Sequence, residues 1–496
     1  MITGTDKNQP NPDFNRSDSH LARHCKIVAT LGPASSDEAT LRQLFDAGID
    51  IARLNFSHGA HETHLQNIEM IRRLSRETGK NVAILQDLQG PKIRVGQLLG
   101  DQMELHNGEI YRLEFGHEQH DPSIIPIDYR GLVHDVKEGQ RVMMDDGLLI
   151  LRVNSVQNKS VEVEVIEGGQ LKNRKGVNFP DSRLSLPALT DKDSKDLLFG
   201  IANRVDFVAL SFVQDPSDIE HIKGMIKALG ADVPVIAKIE KLPALTKIDE
   251  IAKLSDGLMV ARGDLGVEGD VERVPGFQKT ILDTAVKYAK PVIIATQMLD
   301  SMIKNPRATL AEVADVANGV LDGADCLMLS GESAAGKYPV ESVRRMDSII
   351  REVENWTFKQ PTRFDMGHID PGETDFKTHE SIAKAACEAA VALKAKAIVC
   401  LTLTGSIAKL IARWRPNTTI VAISPRQDVV TRLNIFWGVY GIPNPSFYNT
   451  DVLLAELPDL LKKQDIVRSG DVMILTAGLP LNDMNPTNMV KIDVIP

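Results

Sequence analysis

Lys238 and Glu240 stand two residues apart in the apolar run PVIAKIE (234–240). On a strand, that spacing puts both side chains on one face. The next apolar run, GLMVA (257–261), leads into ARGDLG and places Asp264 just beyond its tip. PVIIATQ (291–297) ends on Ala295-Thr296-Gln297, and NVAILQD (81–87) ends on Asp87. In and just after IDIARLNF (49–56), Arg53, Asn55 and Ser57 alternate. Two carboxylates, Glu240 and Asp264, with no His or Cys ligand nearby, suit a hard cation: Mg²⁺, with Mn²⁺ as the alternative. Arg53, Arg94 and Lys238 form a cationic group in an acidic chain, which implies a strongly anionic substrate. Metal, arginine and lysine together are the equipment of phosphoryl transfer, which runs on positioning and charge neutralisation. Taken singly, Lys238 and Glu240 read as a structural ion pair and Asp264 as a cap. Their convergence on one rim reverses that reading. Ser57 and His58 are adjacent but lack a third partner, so a serine nucleophile is poorly supported.

The elements that must position these groups follow a rhythm. Strands are expected at 26–32, 49–56, 81–87, 207–213, 234–240, 257–261, 291–297 and 326–330. Each is followed, directly or after an interruption, by an amphipathic stretch, at 37–47, 61–78, 190–203, 216–229, 242–254, 276–289, 309–321 and 339–356. Near-continuous apolar strands indicate a parallel sheet covered on both faces. Eight β/α units predict a closed (β/α)8 TIM barrel over 24–94 and 186–357. A doubly wound sheet is the alternative, disfavoured by the absence of GxGxxG after the first strand. Residues 95–185 lack helical periodicity, and Asp146-Gly147 between apolar runs marks a hairpin. This segment is expected to be a small β-barrel domain inserted after the third strand, placed to act as a lid over the site. A linker rich in Pro, Gly and Asp near 358–375 precedes a C-terminal α/β regulatory domain at 370–496.

Counting 57 Lys+Arg against 67 Asp+Glu gives a net charge of -10 in 496 residues, which argues against a nucleic-acid partner. Cys25, Cys326, Cys387 and Cys400 show no CxxC spacing and read as reduced cytosolic thiols. Residues 1–23 are polar and read as a flexible tail with no signal-peptide core. No apolar run approaches the roughly 18 residues of a membrane span. The protein is expected to be cytoplasmic, with no membrane partner.

KIVATLGPAS (26–35), ARLNFSHG (52–59), DLQGPKIR (87–94), IAKIEK (236–241), VARGDLGVE (260–268), ATQMLDSM (295–302) and DCLMLSGESAAGKYP (325–339) closely resemble the pyruvate kinase family, in the family's order. The resemblance implies phosphoryl transfer from phosphoenolpyruvate to ADP, giving pyruvate and ATP, and a homotetramer. It implies that Glu240 and Asp264 hold Mg²⁺. It implies that Lys238 neutralises the transferring phosphoryl group and the developing enolate, and that Arg53 binds phosphate. The Gly263 and Asp264 backbone N–H groups and the Thr296 hydroxyl would hold the substrate carboxylate, with Thr296 near the site of enolate protonation. Asn55, Phe56, Ser57, His58, Arg94 and Lys192 match the nucleotide side. An aldolase or lyase acting on pyruvate enolate would share the barrel and the acidic pair, but not the nucleotide-side motifs or the lid. Retention of Arg53, Lys238, Glu240, Asp264 and Thr296 argues against an inactive relative.

Two segments depart from the family pattern. Many relatives carry Lys or Arg at Ser406 and Ser or Thr at Ile407. The loop holding Thr402, Thr404, Gly405 and Ser406, with Lys409 as its nearby cation, is therefore expected to bind a phosphorylated metabolite of monophosphate type rather than a bisphosphate. The family's K⁺ ligands match Asn55, Ser57, Asp87 and the carbonyl of Leu88. Here the segment reads DLQGPK, as in the family's K⁺-independent group, with Lys92 where K⁺-dependent relatives carry Glu. K⁺ is expected not to be required.

Overall fold

The computed structural model describes residues 23–182, 184–359, 377–448, 450–479 and 486–496. In chain order, β1 (Lys26–Leu31), α1 (Glu38–Ala47), β2 (Ile51–Asn55), α2 (His61–Thr78) and β3 (Ala83–Asp87) come first. The insertion carries β4 (Gln102–Leu105), β5 (Ile110–Phe115), β6 (Ile124–Ile127), α3 (Leu132–Asp135), β7 (Arg141–Met144), β8 (Leu149–Val156), β9 (Ser160–Glu167), β10 (Gly169–Lys172) and β11 (Val177–Asn178). The β/α alternation then resumes with α4 (Asp191–Ala202), β12 (Phe207–Leu210), α5 (Pro216–Ala228), β13 (Val235–Ile239), α6 (Leu242–Thr246), α7 (Ile248–Leu254), β14 (Gly257–Ala261), α8 (Arg262–Glu268), α9 (Val274–Lys287), β15 (Val292–Ala295), α10 (Leu310–Leu321), β16 (Cys326–Leu329), α11 (Gly331–Ala334) and α12 (Pro339–Phe358).

Eight of these strands, β1, β2, β3 and β12 to β16, pair in parallel and close into a barrel. Their side chains alternate between two packing environments, which is why the runs read as continuously apolar. Ile27, Ile84, Val208 and Val235 join the cluster shared with the surrounding helices, whereas Val28, Leu85, Ala209 and Ile236 pack with one another. Stepping by two along the second set reaches Thr30, Asp87, Ser211 and Lys238. The same step from Ile51 reaches Arg53. The inward face thus turns from apolar to charged at the C-terminal ends of the strands, the end at which barrel enzymes place their chemistry.

The inserted domain, expected as a small β-barrel, is closed by the chain that enters it. Its main sheet is a six-stranded ladder in the order β11-β7-β8-β9-β5-β6, with β10 and β4 as a separate ribbon. The incoming segment pairs with both edges, Arg94 with Gly176 and Val95 with Ile127, so it completes the curl. The predicted hairpin between β7 and β8 is present, with Asp145, Asp146 and Gly147 at φ 54°, 55° and 86°. Short polar side chains and glycine accommodate that left-handed geometry.

The C-terminal domain holds α13 (Lys377–Ala392), β17 (Ala397–Leu401), α14 (Ser406–Arg413), β18 (Thr419–Ser424), α15 (Gln427–Arg432), β19 (Val439–Pro443), α16 (Thr450–Lys463), β20 (Val472–Ala477) and β21 (Met489–Val494). Its sheet runs β19-β18-β17-β20-β21, with only β21 antiparallel. The expected helix at 242–254 is two helices, α6 and α7, broken at Lys247. Arg23, assigned to the tail by composition, is buried and paired with Asp50 and with Asp347 at 2.9 Å, so it belongs to the barrel. The other tail residues and the linker beyond residue 359 lie outside the described residues. All four cysteines are free and buried. Among the described residues no helix is long and apolar enough to cross a membrane.

Candidate active site

The mouth of the barrel is floored by a charged network. Arg53 Nε donates to Asp87 Oδ2 at 2.7 Å, and its terminal nitrogen donates to Thr30 Oγ1 at 3.0 Å. Lys238 Nζ lies 3.2 Å from Asp87 Oδ1 and 2.8 Å from Glu240 Oε1, and donates to Ser211 Oγ at 2.7 Å. The Ser211 hydroxyl in turn donates to the Leu88 carbonyl at 2.7 Å. Burial disfavours ionisation of Asp87, but Lys238 and Arg53 outweigh it and hold the carboxyl below its usual range. Burial also works against the Lys238 charge, and Asp87 and Glu240 reverse it, so the ammonium is held more firmly than in water. Thr30 and Ser211 are site residues the motif reading missed. The alternation of β1 and β12 was the available signal.

Glu240 accepts the Phe212 N–H at 2.7 Å and is 2% exposed. Burial, reinforced by the Asp264 charge, pushes its carboxyl up to about 7 against the opposing pull of Lys238. Asp264 lies on α8, a short helix the sequence reading did not anticipate, and is half-buried. Among the described residues no cluster of three or more His, Cys, Asp or Glu could hold a metal ion. The pair Glu240 and Asp264 nevertheless fits a hard cation, because two acidic groups crowded in a buried mouth repel each other. Such a cation takes few carboxylates and completes its shell with water and substrate oxygens.

Beside this pair, Gly263 N–H donates to Thr296 Oγ1 at 2.9 Å. Thr296 and Gln297 sit at φ 70° and 54°, a strained geometry for a β-branched residue. Arg262 anchors the turn by donating to the Thr296 carbonyl and to Asp315 Oδ1, both at 2.7 Å.

The residues that the resemblance matched to the nucleotide side lie around the end of β2, Arg94 excepted. Asn55 Oδ1 accepts the Ser57 N–H at 3.1 Å, and the Phe56 ring stacks on His64 at 4.0 Å. The His58 carbonyl is hydrogen-bonded to the His64 ring at 2.9 Å. Lys192 Nζ donates to the Phe56 carbonyl and to Asp196, both at 2.6 Å. Arg94 is not gathered into the cationic group. It donates to the Arg174 carbonyl of the inserted domain at 3.0 Å. Lys92 is exposed and lines the cleft between inserted domain and barrel, with Asp264, Lys241 and Asn178.

The loop before α14 is largely self-satisfied. Thr402 Oγ1 accepts the Gly405 N–H at 2.8 Å, and Thr404 and Ser406 hydroxyls pair at 3.1 Å. Gly405 adopts φ 81°, where a side chain would strike Leu433. Lys409, expected to serve this loop, lies over the Phe436 ring at 5.3 Å, and burial lowers its pKa.

A parallel β/α barrel with cations and paired carboxylates at the strand tips, beneath an inserted domain, defines an enzyme acting on a small anionic substrate. Comparison with known proteins makes this specific. Models of the pyruvate kinase barrel domain and of the pyruvate kinase alpha/beta domain match residues 22–343 and 380–493. Pyruvate kinase 2 of Synechocystis sp. is 43% identical over 484 residues, 96% of this chain and 80% of that protein. The pyruvate kinase of Geobacillus stearothermophilus is 41% identical over 478 residues, 96% of this chain and 81% of its own. A crystal structure of a pyruvate kinase from Cryptosporidium parvum superposes with a TM-score of 0.90 at 34% identity, covering 97% of this chain and 98% of that one. The chain belongs to the pyruvate kinase family. It is a phosphotransferase that moves the phosphoryl group of phosphoenolpyruvate to ADP, the last step of glycolysis, and the family implies a dependence on divalent metal.

Proposed function

We propose that the network around Lys238 carries the transfer, with Mg²⁺ as the resident cation on Glu240 and Asp264. The observation that carries this reading is the placement of Lys238 between Asp87 and Glu240 at 3.2 and 2.8 Å, a fixed cation at the strand tips. Arg53, oriented by Asp87 and Thr30, binds the phosphoryl group. Lys238 faces the charge that develops as enolpyruvate leaves, and a preorganised ammonium needs no reorganisation at that moment. Mg²⁺ held by Glu240 and Asp264 would supply charge neutralisation to the anionic substrate. The backbone N–H groups of Gly263 and Asp264, with the Thr296 hydroxyl, hold the substrate carboxylate. Thr296 directs the proton to the enolate carbon through water. Asn55, Phe56, Ser57, His58, Arg94 and Lys192 receive ADP. Ketonisation of enolpyruvate then drives the reaction toward ATP.

The assay is pyruvate and ATP formation from phosphoenolpyruvate and ADP with Mg²⁺. Formation of pyruvate without a requirement for ADP would count against the assignment. The wider reading is a cytoplasmic homotetramer that works without K⁺. In it, the Thr402, Thr404, Gly405 and Ser406 loop binds a metabolite monophosphate. With Lys409 over the Phe436 ring, donors rather than cations define that loop. Tight fructose 1,6-bisphosphate binding in calorimetry, with none for monophosphates, would reverse the choice.

A further inference from the structure

Glu268 is the last residue of α8 and is 2% exposed. One of its oxygens, Oε1, meets the Lys241 ammonium at 2.5 Å and accepts the Asn178 side-chain amide at 2.7 Å. Three segments meet at this atom. Asn178 ends β11, an edge strand of the inserted domain. Lys241 directly follows Glu240, and Glu268 lies four residues after Asp264, one turn along α8. A further strand of the network runs through Phe212. Its ring lies 5.8 Å from the Lys241 ammonium, and its N–H donates to Glu240 Oε2 at 2.7 Å.

A buried carboxylate is stable only with partners. Lys241 supplies the opposite charge from within the barrel. Asn178 supplies a neutral donor from the inserted domain, and that donor leaves if the domain swings out. Glu268 therefore favours the docked position of the inserted domain. Its pair with Lys241 fixes the spacing between the segment bearing Glu240 and the helix bearing Asp264. Elsewhere along this face, Arg141 of the insertion reaches Asp270 only at 3.6 Å, between exposed side chains, so it contributes little.

We propose that Glu268 is a positioning residue for the transfer reaction: it latches the inserted domain through Asn178 and, through Lys241, holds the two carboxylates at their working separation. The second half rests on the reading of Glu240 and Asp264 as cation ligands. With the latch broken, water reaches the phosphoryl group and replaces ADP as acceptor, giving inorganic phosphate and pyruvate.

The test uses the full chain with Asn178→Ala, Glu268→Gln and Glu240→Gln. It reads amide exchange over residues 176–182 without substrate, the ratio of phosphate to ATP formed from phosphoenolpyruvate and ADP, and Mn²⁺ binding by electron spin resonance. Asn178→Ala is expected to raise exchange and the phosphate ratio while leaving Mn²⁺ binding near normal. Glu268→Gln is expected to raise both and to weaken Mn²⁺ about tenfold, the usual size of an outer-shell effect. If Glu268→Gln is poorly folded, the double substitution Lys241→Met with Glu268→Leu removes both buried charges and is expected to show the same exchange and leak. Unchanged exchange and leak in Asn178→Ala overturns the latch. Normal Mn²⁺ binding in Glu268→Gln, where Glu240→Gln has lost it, overturns the positioning role. Normal Mn²⁺ binding in Glu240→Gln overturns the ligand reading instead, and exchange and leak then decide the latch alone.

Discussion

Asp87 stands between two largely buried cations, with one oxygen 2.7 Å from Arg53 Nε and the other 3.2 Å from Lys238 Nζ. The carboxylate holds apart two groups that would otherwise repel each other, and it aims both at the same space above the strand tips. Asp87→Asn keeps the shape and removes the charge that reconciles them. Breaking a buried pair of this kind costs about 3–5 kcal/mol. Because Lys238 and Arg53 depress the Asp87 pKa, its stabilisation is complete above the unfolded-state value and is lost as pH falls through the folded one. Asp87→Asn should therefore be less stable at neutral pH, with a gentler acid limb. A denaturation midpoint equal to wild type at pH 7 would refute this account of the network.

Lys238→Met should keep the fold, since methionine preserves much of the stem volume. It should abolish transfer, because the developing negative charge loses its nearest cation. Near-normal turnover in the folded variant would move the catalytic role elsewhere.

Metal binding should depend on pH in a set direction. Burial and Asp264 raise Glu240 to about 7, so a cation entering below that pH must displace a proton. Affinity should weaken as pH falls through 7, with proton release on binding. Glu240→Gln and Asp264→Asn should each weaken Mg²⁺ activation sharply. Wild-type Mg²⁺ titrations in both variants would place the metal at another site.

What the sequence disclosed follows the strength of its periodic signals. The barrel strands were legible because both faces of each are buried, and the inward step of two carries through Val28 to Thr30 and through Ile236 to Lys238. The α8 helix was not, because seven residues containing two glycines carry no helical pattern. Arg23 looked like tail because its partners, Asp50 and Asp347, are distant in the chain. Composition cannot register such pairs.

The barrel and the C-terminal domain are joined by a buried fork. Both terminal nitrogens of Arg415 meet Asp325, at 2.9 and 3.0 Å, and Asp325 also accepts the Trp437 N–H at 3.0 Å. Asp325→Ala should lower stability by about 3–5 kcal/mol, because it leaves a buried guanidinium unpaired. It should also separate the unfolding of the two domains in calorimetry. A single transition at the wild-type temperature would show that the domains are held by other contacts.

The cation requirement can be argued from the state of the four groups matched to K⁺. Asn55 Oδ1 already accepts the Ser57 N–H at 3.1 Å, the Leu88 carbonyl accepts the Ser211 hydroxyl at 2.7 Å, and both Asp87 oxygens lie against cations. Three of the four are thus engaged by the protein's own donors. Lys92 lines the cleft that Asp264 also lines. On the K⁺-independent reading, its ammonium would supply the positive charge that K⁺ otherwise brings. A lysine and a K⁺ close together would repel each other. We therefore expect substantial turnover with Mg²⁺, phosphoenolpyruvate and ADP supplied as tetramethylammonium or Tris salts, free of K⁺ and NH₄⁺. Lys92→Glu should create a K⁺ requirement, since the introduced carboxylate removes the local cation and attracts another. The alternative is that Lys92 stays in solvent and K⁺ still binds Asn55, Ser57, Asp87 and Leu88. Negligible wild-type rate in those buffers, restored many-fold by K⁺, would establish that alternative and make the four-group site obligatory.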